Sequence, residues 1–146
     1  MDLLRRAVAG ARLSPLEQKV TEATSSDPWG PHGSVLTEIA ARTHYAEDRR
    51  TILDLLWRRL GERPEQWRCV YKALSVVEFL LAQGSREVVE ELCGCARRVA
   101  ALDSFFFRDA EGKDQGLNVR MKSASLAAVR ALFPLSPSSL TVSARS

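Results

Sequence analysis

Cysteine is scarce: Cys69, Cys93 and Cys95 are odd in number, and the last two are separated only by Gly94, so no disulfide framework is expected. That usage fits a reducing cytosol. Cys93 and Cys95 lack a second ligand pair at finger-like spacing and the two histidines, His32 and His44, lie far upstream, so neither a metal nor another cofactor is called for. No run of about eighteen apolar residues is present, and the apolar part of MDLLRRAVAGARL is too short for a secretory signal, so the expectation is a protein that is soluble or peripheral to a membrane. Charge of one sign is also lacking, because 21 Lys and Arg against 18 Asp and Glu leave only +3 at pH 7. Such a balance speaks against a dedicated nucleic-acid binder and leaves an anionic surface open as a partner. Alternating polar and apolar stretches of convincing length are missing, which excludes much sheet. Catalytic spacing is missing as well. Pairing Cys69 with His32 or His44 would need distant segments to meet, Glu90, Glu91, Asp109 and Glu111 read as solvated charges, and EGKDQG does not have the spacing of a phosphate loop, so no enzyme is expected.

What is present is helix. The chain has 146 residues, 45% of them hydrophobic, enough for one core. Ser14, Pro15 and Glu17 combine an N-cap, a first-turn proline and a capping box. The stretch SSDPWGPHG, residues 25–33, then holds two prolines and two glycines, so no helix passes through it and Trp29 is expected to plug a gap between the elements on either side. Val35, Leu36, Ile39 and Ala40 share a face of the next helix. Ile52, Leu53, Leu55, Leu56 and Leu60 form the buried stripe of another, with Arg49, Arg50, Arg58 and Arg59 on its exposed faces and Gly61 at its end.

The longest helix is predicted from Pro64 to Gly84. Trp67, Val70, Tyr71, Leu74, Val77 and Leu81 recur along it, and Val76, Phe79 and Leu80 widen the stripe, which makes it the centre of the core. One or two helices follow, weakened at Gly94; FFFRDAEGKDQG forms a polar turn region, and a last helix carries Leu117, Val119, Leu126, Val129 and Leu132. The whole is an all-α architecture of about seven or eight helices, packed as successive antiparallel hairpins in a right-handed array. From Pro134 the serine- and proline-rich tail, residues 134–146, is expected to be disordered.

Two features point to binding. Arg58, Arg59, Arg63, Arg68 and Lys72 fall at the end of one helix and the first turns of the next, where they could converge on an anion. Leu3, Leu4, Ala7, Val8 and Ala11 share one side of an N-terminal helical wheel, with Arg5, Arg6 and Arg12 on most of the other, the pattern of a short interfacial helix.

The runs DPWGPHG, EIA, LLWRRL, WRCVYKAL, FLLAQGSREVVEE and GKDQGLNVR, in this order and at these separations, closely resemble the epsin N-terminal homology (ENTH) domain. The resemblance covers roughly residues 14–133, leaving 1–13 as an amphipathic N-terminal segment. It implies a compact superhelical solenoid, ENTH/VHS-like, and activity as a phosphoinositide-binding module of clathrin-mediated trafficking. It also implies a structural role for Trp29, which joins Trp67 as a packing residue. Carried over residue by residue, it places Arg59 and Lys72, with Arg5 and Arg6, on the lipid headgroup, and Leu3, Leu4 and Val8 in the bilayer. Thr21 stands where the family has arginine, Ser26 where it has asparagine, Glu65 where lysine is common and Cys69 where histidine is common, which implies weak or altered headgroup selectivity. The expectation is a monomeric, cytoplasmic, peripheral membrane protein with a phosphoinositide-containing membrane as partner and clathrin, adaptor proteins or cargo as further partners. The rival is a protein-interaction scaffold that binds cargo or coat proteins without strong lipid binding.

Overall fold

The computed structural model describes residues 12–132. Leu3, Leu4, Arg5, Arg6 and Val8, the tail from Pro134, and the side chains of Val129 and Leu132 lie outside the described residues. Among the described residues seven α-helices run in chain order: α1 Pro15–Ala23, α2 Gly33–Arg42, α3 Ala46–Leu60, α4 Trp67–Gln83, α5 Arg86–Gly94, α6 Ala96–Ala100 and α7 Gly116–Leu132. Single 3-10 turns at Pro64–Gln66 and Ala101–Ser104 precede α4 and follow α6. The proline at position 64 therefore opens a tighter turn than the α-helix predicted there, and the α-helix itself begins at Trp67. Among the described residues there is no strand, only an isolated bridge between Arg108 and Asp114.

The starts and stops follow local chemistry. The Ser14 hydroxyl accepts from the Glu17 N–H while the Glu17 carboxylate accepts from the Ser14 N–H, which closes the capping box and fixes where α1 begins. The helix that was expected to weaken at Gly94 breaks there, so that α5 and α6 are separated by Cys95. Gly84 ends α4 where a Cβ would come within 2.6 Å of the Leu80 carbonyl oxygen and of a Val88 methyl, so a side chain would force α4 and α5 apart.

Helix α4 packs against α1, α2, α3, α5 and α7. Val70, Ala73, Leu74, Val76, Val77 and Leu80 are buried along it, and Trp67, Tyr71 and Phe79 pack half-buried against the same core. With so much of its girth apolar it gains most by being surrounded, and the remaining helices supply the walls. A buried polar knot ties the C-terminal end of α2 to α5: the Ser85 N–H donates to the Thr43 hydroxyl at 2.9 Å, the Ser85 hydroxyl donates to the Thr43 carbonyl at 2.8 Å, and that hydroxyl accepts from the Val88 N–H. Every polar atom in the knot has a partner, as burial requires.

Candidate cationic site at the proline-braced corner

The segment between α1 and α2 cannot form a helix, because Pro28 and Pro31 lack N–H donors and bias the residues before them away from the α region. Its carbonyls need donors from elsewhere, and α4 provides them. Lys72, only 7% exposed, directs its Nζ to the carbonyl oxygens of Trp29 at 2.8 Å and Asp27 at 3.2 Å and to the Ser25 hydroxyl at 3.3 Å. An ammonium has three N–H donors, so these three acceptors fill its capacity. No carboxylate lies within 4 Å of Lys72 among the described residues.

Arg59, on α3, braces the preceding residues. Its Nε donates to the Thr24 hydroxyl at 3.0 Å, its Nη2 to the Thr21 carbonyl at 3.1 Å, and its Nη1 lies 3.4 Å from the Glu62 carboxylate and 3.8 Å from Cys69 Sγ. This corrects the expectation of an exposed Arg59, since the residue is 8% exposed. Its aliphatic stem lies along the buried face of α3 while the head finds hydrogen-bond acceptors on α1.

Arg59 and Lys72 are thus brought together, on the adjacent residues Thr24 and Ser25. Their proximity has electrostatic consequences. Burial pushes the Lys72 ammonium below its ordinary 10.5, helped by the like charges of Arg59 and Arg68 and opposed by Asp27 and Cys69. Burial also raises the Cys69 thiol above 9.0, with Glu62 acting in the same direction and Arg59 and Lys72 against it, so the thiol stays protonated at neutral pH.

Two grooves flank the corner. One, about 580 Å³, is lined by Lys19, Glu22, Asp27, Trp29, His32 and Lys72 among others. The second, about 400 Å³, runs between Pro28 and Pro31 on one side and Trp67, Arg68 and Tyr71 on the other, again with Lys72 in its wall. Lys72 is therefore the cation shared by both grooves, whereas Arg59 lines neither and acts from beneath. Of the other cations predicted to converge, Arg68 stacks over the Trp67 ring at 4.9 Å and stays near Lys72, while Arg63 is exposed beside Glu65 at 3.8 Å. Lys19 is a groove residue that sequence reasoning missed; it pairs with Glu38 at 2.7 Å, and no motif marks it.

Trp29 overturns its predicted role. It is 67% exposed and fills no gap between helices; the corner is held through its main-chain carbonyl, not its ring. Trp67 is half-buried and packs on the core. Thr21, in the place of a family arginine, offers its carbonyl to Arg59 while its own hydroxyl oxygen is buried without a hydrogen-bond partner.

The sequence model of the ENTH domain matches residues 13–130. Clathrin interactor EPSIN 2 of Arabidopsis thaliana is 43% identical over 114 residues, which is 78% of this chain and 13% of that protein. The chain therefore spans well under a quarter of that curated relative's length. Among solved structures, the human epsinR ENTH domain superposes with a TM-score of 0.78 at 37% identity, covering 82% of this chain and 89% of that one. The ENTH domain of epsin-2 in complex with phosphatidylinositol 4,5-bisphosphate superposes with a TM-score of 0.80 at 26% identity, covering 86% of this chain and 90% of that one. With the family's pattern running from Leu13 to Arg130 and its all-helical architecture reproduced around α4, the chain belongs to the ENTH domain family.

Proposed function

We propose that this chain is a phosphoinositide-binding adaptor domain acting peripherally on the cytoplasmic face of membranes in clathrin-mediated vesicle formation, and that it binds rather than catalyses. The observation that carries this reading is an ammonium, Lys72, held at the meeting of two grooves with main-chain and hydroxyl oxygens as its hydrogen-bond acceptors and, among the described residues, no carboxylate in direct contact, Asp27 acting on it only through space. The lipid in the solved epsin-2 domain and the plant relative's character as a clathrin interactor support the class of ligand and of partner.

In this reading a phosphate oxygen takes the place of the Ser25 hydroxyl, the longest of the three Lys72 contacts, so binding exchanges one acceptor for a charged one. Arg59 adds positive potential from below, Arg5 and Arg6 contribute from the N-terminal segment, and Leu3, Leu4 and Val8 enter the bilayer. The full chain is to be sedimented with phosphatidylcholine–phosphatidylserine vesicles with and without phosphatidylinositol 4,5-bisphosphate. Pelleting should depend on the phosphoinositide, and Lys72→Ala should weaken it roughly tenfold, the worth of one charge-assisted contact. Folded wild-type protein that stays in the supernatant with both vesicles ends the lipid reading. The second reading, a scaffold for cargo or coat proteins, draws on the exposed Phe106, Leu117 and Met121, far along the chain from the corner. In that case Lys72→Ala leaves partner binding intact.

A further inference from the structure

We infer that Trp29 is a membrane-interface anchor, seating its indole at the headgroup level of the same anionic bilayer that Lys72 engages. This inference rests on the phosphoinositide reading and adds to it a contact that only a bilayer, and no soluble headgroup, can satisfy.

Burial gives Trp29 no reason to be where it is. At 67% exposure it is the most exposed of the large hydrophobic residues described, and its ring has no hydrogen bond or cation–π partner among the described residues. A partner that covered this ring would gain the free energy of removing its apolar surface from water.

Its backbone is nevertheless among the better fixed parts of the surface. Pro28 and Pro31 limit the torsions around it, and the Lys72 Nζ holds both the Trp29 and the Asp27 carbonyls. A ring presented from so rigid a base loses little freedom when it docks, which favours binding. The position also fits. Trp29 lines the same groove as Lys72 and Lys19, so a lipid whose phosphates reach Lys72 brings its glycerol region to the indole. Arg59 and Arg68 both stand close enough to Lys72 to repel it, and with Asp27 and Glu62 as the carboxylates beside these three cations the corner keeps positive charge to offer an anionic lipid surface. Tryptophan is the side chain with the strongest liking for that boundary, apolar in body and polar at its N–H.

The test compares two ligands for each protein. Wild type, Trp29→Ala and Trp29→Phe are titrated with the soluble inositol trisphosphate headgroup and, separately, with phosphatidylcholine–phosphatidylserine vesicles containing phosphatidylinositol 4,5-bisphosphate. Trp29→Ala should leave the urea midpoint and the soluble-headgroup affinity unchanged and weaken vesicle binding roughly fivefold, with Trp29→Phe in between. The emission of wild type minus that of Trp29→Phe isolates the Trp29 signal from Trp57 and Trp67, and it should shift to the blue and be quenched by brominated acyl chains. Equal vesicle binding by Trp29→Ala and wild type overturns the anchor and leaves Trp29 to a protein partner. An equal loss for both ligands overturns it differently, by showing that the ring shapes the corner. Folded wild type that ignores the vesicles removes the phosphoinositide reading and the anchor together.

Discussion

Among the described residues two long irregular connections solve one problem with different electrostatics. Residues 24–32, between α1 and α2, and residues 105–115, before α7, each carry an exposed aromatic, Trp29 and Phe106, and each is pinned by cations donating to main-chain carbonyls. In the second connection the cation is neutralised. Arg120 donates to the Phe105 carbonyl at 3.0 Å and also meets the Asp114 carboxylate at 2.7 Å, while Asp109 accepts from the N–H groups of Glu111 and Lys113 and from the Gln115 side chain. Gly112, at φ 84, allows the tight return. In the first connection the Lys72 hydrogen bonds all go to neutral oxygens, and the Asp27 carboxylate acts on the ammonium only through space. A charge paired with a carboxylate is already satisfied as a charge, whereas one held by dipoles still attracts an anion. The lesson is that the same structural device closes a turn around a paired charge in one place and, in the other, leaves a cation held by neutral oxygens, the arrangement on which the phosphoinositide proposal rests.

Removing the cations separates the two connections most sharply. Arg59→Ala should have the largest effect, lowering stability by about 2–4 kcal/mol, because it empties the space of a buried side chain and removes its bonds to the Thr24 hydroxyl, the Thr21 carbonyl and the Glu62 carboxylate together. Urea unfolding measures it. Lys72→Ala should cost less, about 1–3 kcal/mol, since Ser25, Asp27 and Trp29 lie nearer to water; hydrogen exchange should show the loss confined to the corner. If the two variants cost the same as Asp114→Asn, the contrast between the connections fails.

Asp114→Asn is expected to be the mildest, loosening only the turn before α7. The two aspartates there also set an acid limit. Hydrogen bonds, from Gln115 to Asp109 and from Arg120 to Asp114, hold both carboxyls below their ordinary 3.8. A carboxyl whose folded value is depressed contributes stability in full above its unfolded value and loses it as pH falls through the folded one. A carboxylate NMR titration should therefore find both aspartates still ionised at pH 3.8, with the turn opening only in stronger acid while the Lys72 corner remains closed.

Much of the architecture could be read before any coordinates. Ser14, Gly61 and Gly84 mark helix ends through capping chemistry that acts within a few residues, and the stripe on α4 has no good arrangement except a central one. The site was less legible. Arg59 lies three residues after Leu56 and seven after Ile52, on the buried face of α3, yet an arginine there reads as solvated unless one knows that Thr24 and Thr21 wait across the interface. Lys72 is joined to Trp29 across 43 residues of chain, beyond the reach of any local pattern. Trp29 was misread because an aromatic between prolines can face inward or outward, and only the placement of α4 decides it.

The oxygens around Lys72 form a tripod, one leg each from Ser25, Asp27 and Trp29, and a tetrahedral nitrogen at its apex can address all three at once. A guanidinium is flat and points its donors outward in a single plane, so it could not visit the same three legs. The position is consequently reserved for lysine by shape as much as by sign, and Lys72→Arg, though neutral on any charge count, would unseat the loop it was meant to preserve.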